Sequence, residues 1–308
     1  MVQIYMAAVY TNSLMAGQRH DEKLTERERQ VVNALPNVLE SYHYVGKPQY
    51  VEAMRRNGAK VFLDSGAFSA HTLGVQMDLP AYCRYVQENA DIIRVEDGAL
   101  MASVLDGIGD PLQTYRNQLE MEALGVRPLP CFHFGEDVRY LDHYVANYSY
   151  ITIGGMVGKT VPQLLTWLDR MWKPGKLLDG AGRPRTKVHA FGITSVKVME
   201  SYPWFSCDSS SWVQSANFGG AILPSYGPIK VSAKSPSRHD ADQHLDSFNK
   251  EWANYTREEI RKRGFDPDRL RDVYEARWAW NLMAFGEIQD RVNGQKGSKY
   301  RTDIMELI

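Results

Sequence analysis

Carboxylate and imidazole side chains recur in this chain at one kind of place, the end of a short apolar run. Asp64 follows KVFL, Asp106 follows MASVL and Asp208 follows WFSC, while His133 and His189 sit inside PLPCFHF and KVHAFG. Small residues come next: Ser65, Gly66 and Ala67 after Asp64, Gly154 and Gly155 closing YITIGG, Gly192 closing KVHAFG, and three serines after Asp208. Two carboxylates on one rim suit chemistry at an anomeric carbon. One attacks C1′ and forms a covalent glycosyl-enzyme while an acid assists the leaving group. Glycines at such a rim let backbone N–H groups come close to a ligand. Metal binding is the competing use of clustered Asp and His. HxH, HExxH and CxxC spacings are absent from the chain, so neither metal nor cofactor is expected. Plainer uses exist for single residues. An Asp after a strand often caps the next helix, and Asp110 before Pro111 reads as such a cap. A histidine in an apolar run is more often a satisfied core residue than a catalyst. Capping explains Asp64 and Asp208 together poorly, because each follows a buried-type run and precedes small residues.

Something must bring these run ends to one face. Eight β-rich runs occur: residues 2–10, VLESYHYV to Val45, KVFLD to Asp64, MASVLD to Asp106, PLPCFHF to Phe134, YITIGG to Gly155, KVHAFG to Gly192 and WFSCD to Asp208. Most gaps hold an amphipathic stretch, such as DPLQTYRNQLEMEALG or TVPQLLTWLDRMW. Alternation of this kind predicts an α/β fold, a (β/α)8 TIM barrel, whose chemistry sits at the C-terminal strand ends. A doubly wound sheet is the structural alternative, and its GxGxxG turn is missing. The run DIIRVED at 91–97 exceeds the count of eight and reads as an excursion before the fourth strand. Barrel and appendage divide as 1–215 and 216–308. Residues 209–240 read as loops with a short helix. Residues 241–293 read as two helical stretches parted at Phe265-Asp266-Pro267.

The chain has 308 residues, 44% hydrophobic and 24% charged, which excludes disordered, collagen-like and fibrous classes. No run approaches the ~18 apolar residues of a membrane span. The N-terminal MVQIYMAAVY lacks a basic flank, so it does not read as a signal peptide. Only Cys83, Cys131 and Cys207 are present, too few and too dispersed for a disulfide framework, which fits a reducing cytoplasm. A net charge of −1 does not announce a nucleic-acid binder but leaves room for a local patch.

Taken in order, FLDSGAFSA, LDGIGDP, CFHFGED, YITIGGMVG, HAFGITS and CDSSSW resemble the tRNA-guanine transglycosylase superfamily, most closely its DNA-acting, phage-type 7-deazaguanine transglycosylase branch. The resemblance covers about half the chain, from Lys60 to Trp212. It implies a (β/α)8 barrel that exchanges guanine in a nucleic acid for a 7-deazaguanine base. Residue by residue, it places the nucleophile on Asp208, base binding and proton transfer on Asp64, and the purine's Watson–Crick edge on Asp106. It sets Gly154 and Gly155 against the bound base. Of the other run-end residues, Ser65, Gly66, His189 and Gly192 are expected around the pocket, with Phe68 to stack on the base and Met156 to line it. His133 departs from the glutamine of the tRNA enzymes, and Ala67 from their second glycine. Their C-terminal CxCxxC zinc motif is missing, which speaks for DNA over tRNA.

Double-stranded DNA and a free 7-deazaguanine are therefore the expected partners, in the cytoplasm of a bacterial host, with no membrane. Lys159, Lys230, Lys234 and Arg238 follow the run ends and are the expected DNA contacts. Arg170–Lys187 is more basic but belongs to a helix-to-strand loop, on the far end of a barrel from its active face. A further basic group is Lys296, Lys299 and Arg301. Competing readings are a tRNA-guanine transglycosylase, a nucleoside or glycoside hydrolase using the same two carboxylates, and a non-catalytic binding module.

Overall fold

The computed structural model describes residues 1–239 and 243–294; Lys296, Lys299 and Arg301 lie outside the described residues. Eleven strands occur among them: β1 Gln3–Ala7, β2 Val38–Ser41, β3 Phe62–Asp64, β4 Val95–Glu96, β5 Ala99–Leu100, β6 Cys131–His133, β7 Tyr150–Gly154, β8 Lys187–Ala190, β9 Ser206–Ser209, β10 Gly220–Leu223 and β11 Gly227–Lys230. Seven form one parallel sheet in the order β3-β2-β1-β9-β8-β7-β6. The fold is thus α/β with a curled parallel sheet. Helices cross between most consecutive strands, as parallel pairing requires.

The curl is visible at residues 101–104. Leu63 N–H donates to Met101 O, Ser103 N–H to Leu63 O, Val104 N–H to Leu129 O and Leu129 N–H to Ala102 O, at 2.8–3.0 Å. This segment therefore bonds both the β3 edge and the chain entering β6. It is the expected MASVLD strand, reduced to isolated bridges. The ladder stops at Leu105 because side chains take its backbone groups: Met121 Sδ accepts from its N–H and Asn117 Nδ2 donates to its carbonyl. The expected excursion at 91–97 is the hairpin β4–β5, closed by Asp97-Gly98 with both residues at positive φ, as a tight primed turn demands.

Strand period decides what faces inward. Tyr5, Ala7, Leu39, Phe62, Met101, Leu129 and Tyr150 form one buried cluster on the concave face. Truncating a buried ring such as Phe62 would cost about 3–5 kcal/mol. Two residues beyond Leu39, Phe62, Met101 and Leu129, the same face continues as Ser41, Asp64, Ser103 and Cys131. Apolar packing below and polar groups above are thus one alternation read twice.

The described chain divides into two compact units. One holds 1–11, 37–209 and 292–294; the other holds 12–36 and 210–291. Residues 12–36, which the sequence places in the barrel as its first crossover, group with the second unit. There Arg269 pairs with the buried Glu28, and His20 and Lys23 pair with the buried Glu275. Two further expectations are corrected. The second run ends as a strand at Ser41, and Tyr42–Val45 is a helical turn. Residues 209–240 contain the antiparallel hairpin β10–β11 besides the helix Ser211–Asn217. No described helix is long and apolar enough to cross a membrane.

Candidate functional site

The carboxyl ends of the sheet strands in the first unit gather Asp64, Asp106, His133, His189 and Asp208. Asp64 ends β3. Its Oδ2 accepts from Ser41 Oγ at 2.8 Å and from Gly66 N–H at 2.9 Å, and its Oδ1 accepts from Ser103 Oγ at 3.2 Å. Burial pushes its pKa up to about 6 against the Ser41 hydrogen bond, and the charges of Asp106 and Asp208 push the same way. These three acids therefore share one electrostatic field. Gly66, at φ +79°, makes the turn that aims its N–H back at Asp64; a Cβ there would meet His43 Cβ at 2.5 Å.

Asp208 is anchored by one oxygen. Oδ1 takes Gly192 N–H at 2.8 Å and lies 3.3 Å from His189 Nε2. Oδ2 has no hydrogen-bond partner among the described residues. His189 is fully buried, and burial lowers its pKa although Asp208 opposes that. A neutral ring with its proton on Nε2 satisfies the whole chain of contacts. Tyr150 OH then donates to Ser206 Oγ, Ser206 donates to His189 Nδ1 (both 2.6 Å), and Nε2–H donates to Asp208.

Asp106 and His133 form the third part. His133 Nε2 lies 3.3 Å from Asp106 Oδ2 and 3.4 Å from Cys131 Sγ, and Nδ1 lies 2.7 Å from Glu136 Oε1. Burial opposes charge on this imidazole, but Cys131 and Asp106 outweigh it and raise the pKa. Cys131 is itself held as a thiol, pushed up to about 11 by burial. The Asp106 carboxylate is therefore what favours an imidazolium here. Asp106 Oδ1 is buried and accepts no hydrogen bond among the described residues. A cavity of about 440 Å³ opens beside Asp106, lined also by Ala70, Leu105, Gln113 and Asn117. The larger cavity of about 780 Å³ lies against Met1, Ser149, Lys187 and Trp204, at the opposite strand ends, and holds none of the converging carboxylates.

The remaining expected residues fall as follows. Ser65 is buried and donates its N–H to Ser103 Oγ, so it holds the loop. Phe68 is 61% exposed on the helix Ala67–Thr72, whereas Met156 is buried. Gly154 packs on Cys131 and His133, where a Cβ would sit 3.1 Å from both side chains, and Gly155 lies against the backbone of Phe134. Lys159 is exposed, with Nζ 5.1 Å from the Phe134 ring. Lys230, Lys234 and Arg238 belong to the second unit, where Lys230 donates to Phe218 O and Arg238 pairs with Asp246 at 3.3 Å. Lys176, Arg183 and Lys187 of the basic loop are paired with Asp142, Asp179 and the Glu96–Asp97 turn. Asp110 caps Pro111–Ala123 by accepting from Gln113 N–H.

Sequence reasoning missed Ser41, Ser103, Cys131, Glu136, Ser206 and Tyr150 as members of this cluster. Period two would have found Cys131 beside His133 and Ser206 beside Asp208. It also missed Glu40, fully buried and clamping Tyr10 and Thr11. No known family model matches the chain, and no curated protein matches it.

Proposed function

We propose that this chain is a transglycosylase that exchanges guanine in double-stranded DNA for a 7-deazaguanine base, on a (β/α)8 barrel whose fourth strand is the segment 101–104. The observation that carries the reading is the division of labour between Asp208 and Asp64. Asp208 is pinned through Oδ1 and keeps Oδ2 for attack, while Asp64 shares its field and titrates near 6, where a group can both give and take a proton.

The target deoxyguanosine leaves the stack, because C1′ is unreachable inside a duplex. Asp208 Oδ2 attacks C1′, the C1′–N9 bond breaks, and guanine departs with a proton from Asp64. The 7-deazaguanine enters the same pocket, returns its N9 proton to Asp64 and displaces Asp208 from C1′. Two displacements retain configuration. Asp106 Oδ1, a buried acceptor lacking a donor, takes the N1–H and exocyclic N–H common to both bases. An unmet buried acceptor costs about 1–3 kcal/mol, which a purine donor recovers. Exposed Phe68 offers a ring for stacking and Lys159 a cation for phosphate. Such a reaction places the protein with the DNA, in a cytoplasm.

The test is incubation with duplex DNA and labelled 7-deazaguanines, followed by nucleoside mass analysis. Label in an intact strand, lost in Asp208→Asn, is the expected result. Abasic sites would replace this reading with hydrolysis, and in a parallel incubation with tRNA, label in tRNA but not in DNA would replace the DNA substrate.

A further inference from the structure

We infer that Asp106, Cys131 and His133 form a binding site for a thiophilic divalent cation, zinc first among them. Strand geometry builds two of the ligands: residues i and i+2 of β6 present Cys131 and His133 to the same face. Asp106 reaches them from the chain leaving 101–104. One donor atom from each, Sγ, Nε2 and a carboxylate oxygen, lies within 4.8 Å of the other two.

Both separations from His133 Nε2 match a coordination sphere. Zinc bound at about 2.3 Å to sulfur and about 2.0–2.1 Å to nitrogen and oxygen sets tetrahedral edges of about 3.5 Å for S···N and about 3.3 Å for N···O. Here Cys131 Sγ lies 3.4 Å and Asp106 Oδ2 3.3 Å from His133 Nε2. Hydrogen bonding accounts for this arrangement less well. Nε2 carries at most one proton, which Asp106 Oδ2 and Cys131 Sγ would have to share at 3.3 and 3.4 Å. A cation between the three satisfies all of them.

The outer contacts agree. Metal-bound histidines commonly donate their second N–H to a carboxylate, which fixes the ring and its tautomer. Glu136 Oε1 stands 2.7 Å from His133 Nδ1 and is in that position. Gly154 leaves the space beside Sγ and the ring open, since a Cβ would come within 3.1 Å of both. Three protein ligands leave one tetrahedral position for a non-protein ligand, the arrangement of a reactive rather than a purely structural zinc. Asp106 binds through Oδ2 and keeps Oδ1 for a donor. The C-x-H spacing is none of the patterns whose absence argues against metal in the sequence.

This inference uses the first unit's cluster but not the base-exchange reading. Metal binding is measured without nucleic acid, so either can fail alone. Untagged full-length protein is stripped with chelator, reloaded with Zn2+ or Co2+, and assayed by elemental mass spectrometry and optical absorption. The expected result is one ion per chain. Co2+ should give tetrahedral ligand-field bands with a thiolate charge-transfer band. Cys131→Ser removes the charge-transfer band, whereas Cys83→Ser and Cys207→Ser keep it, and Glu136→Gln weakens binding about 10–100-fold. Substoichiometric metal in the unaltered protein overturns the site without any variant. So does a cobalt spectrum that Cys131→Ser leaves unchanged in a chain with native circular dichroism.

Discussion

His189 holds Asp208 from beneath: its Nε2 lies 3.3 Å from Oδ1, the same oxygen that takes the Gly192 amide at 2.8 Å. Both donors fall on one oxygen, so the other is left for chemistry. The imidazole is in turn fixed by Ser206 and Tyr150. On the proposed reaction His189 positions the nucleophile and touches no reacting atom. His189→Ala should lower kcat about 10–100-fold with KM nearly unchanged. It should cost about 2–4 kcal/mol of stability, from the cavity and the unpaired Ser206 hydroxyl. Steady-state exchange kinetics and urea unfolding check both. A variant equally destabilised but with full kcat would reduce His189 to a packing residue.

Gly192 supplies the other donor from a left-handed backbone, φ +67°, and an added Cβ would meet Val157 Cγ2 at 2.7 Å. Val157 is exposed and can yield, so most of the cost is the backbone's, roughly 1–2 kcal/mol. Gly158 has a similar φ, +82°, with open space around it. Gly192→Ala and Gly158→Ala should therefore lose similar stability. Only Gly192→Ala should also lose activity, about tenfold or more, because its amide shifts away from Asp208. Equal activities in the two variants would refute the anchoring role.

Which parts were legible follows from burial. β3 and β6 to β9 were readable because strands covered on both faces read as unbroken apolar runs. β2 was overrun to Val45 since Tyr and Val favour strands, while the chain turns at Ser41, whose hydroxyl is committed to Asp64. The hairpin β10–β11 was hidden by Gly219, Pro224 and Gly227, which read as loop. Asp64 and Asp208 stood out because a carboxylate ending an apolar run is locally odd. Ser41 and Ser103 carry no local signal. They come from different segments and matter only because the curl places both hydroxyls on one Asp64.

Glu40 was equally hidden, as one alternate residue of VLES. It accepts Tyr10 N–H at 2.6 Å and Thr11 Oγ1–H at 2.7 Å, and burial pushes its pKa up to about 7 from 4.5. Between those values the folded chain binds a proton that the unfolded chain has lost. Stability from this group is therefore complete below about pH 4.5 and is lost as pH rises through 7. Glu40→Gln cannot ionise. The stability difference between the variant and the parent should move in the variant's favour by on the order of 3 kcal/mol from pH 4.5 to pH 8. Asp64 slopes the same way but is common to both proteins and cancels. Urea unfolding across that range is the measurement, and parallel curves would mean that Glu40 stays ionised throughout.

In the second unit, Glu28 ties residues 12–36 to the helix Pro267–Asp272 through Arg269, at 3.0 Å to Oε1 and 2.9 Å to Oε2. The carboxylate is 3% exposed and the guanidinium 31%. Its Oε2 also accepts Thr25 N–H in the capping box of Glu26–Asn33. Removing Arg269 strands a buried charge next to a helix start, whereas removing both charges leaves none. Arg269→Met alone should cost about 2–4 kcal/mol, below the range for a fully buried pair because the arginine is partly solvated. Adding Glu28→Gln should recover at least half of that loss, since the neutral side-chain amide keeps a carbonyl acceptor for Thr25 N–H. Thermal unfolding of the two singles and the double forms a closed cycle. Additive losses would show that the pair is screened by water and that 12–36 is held by its apolar contacts instead.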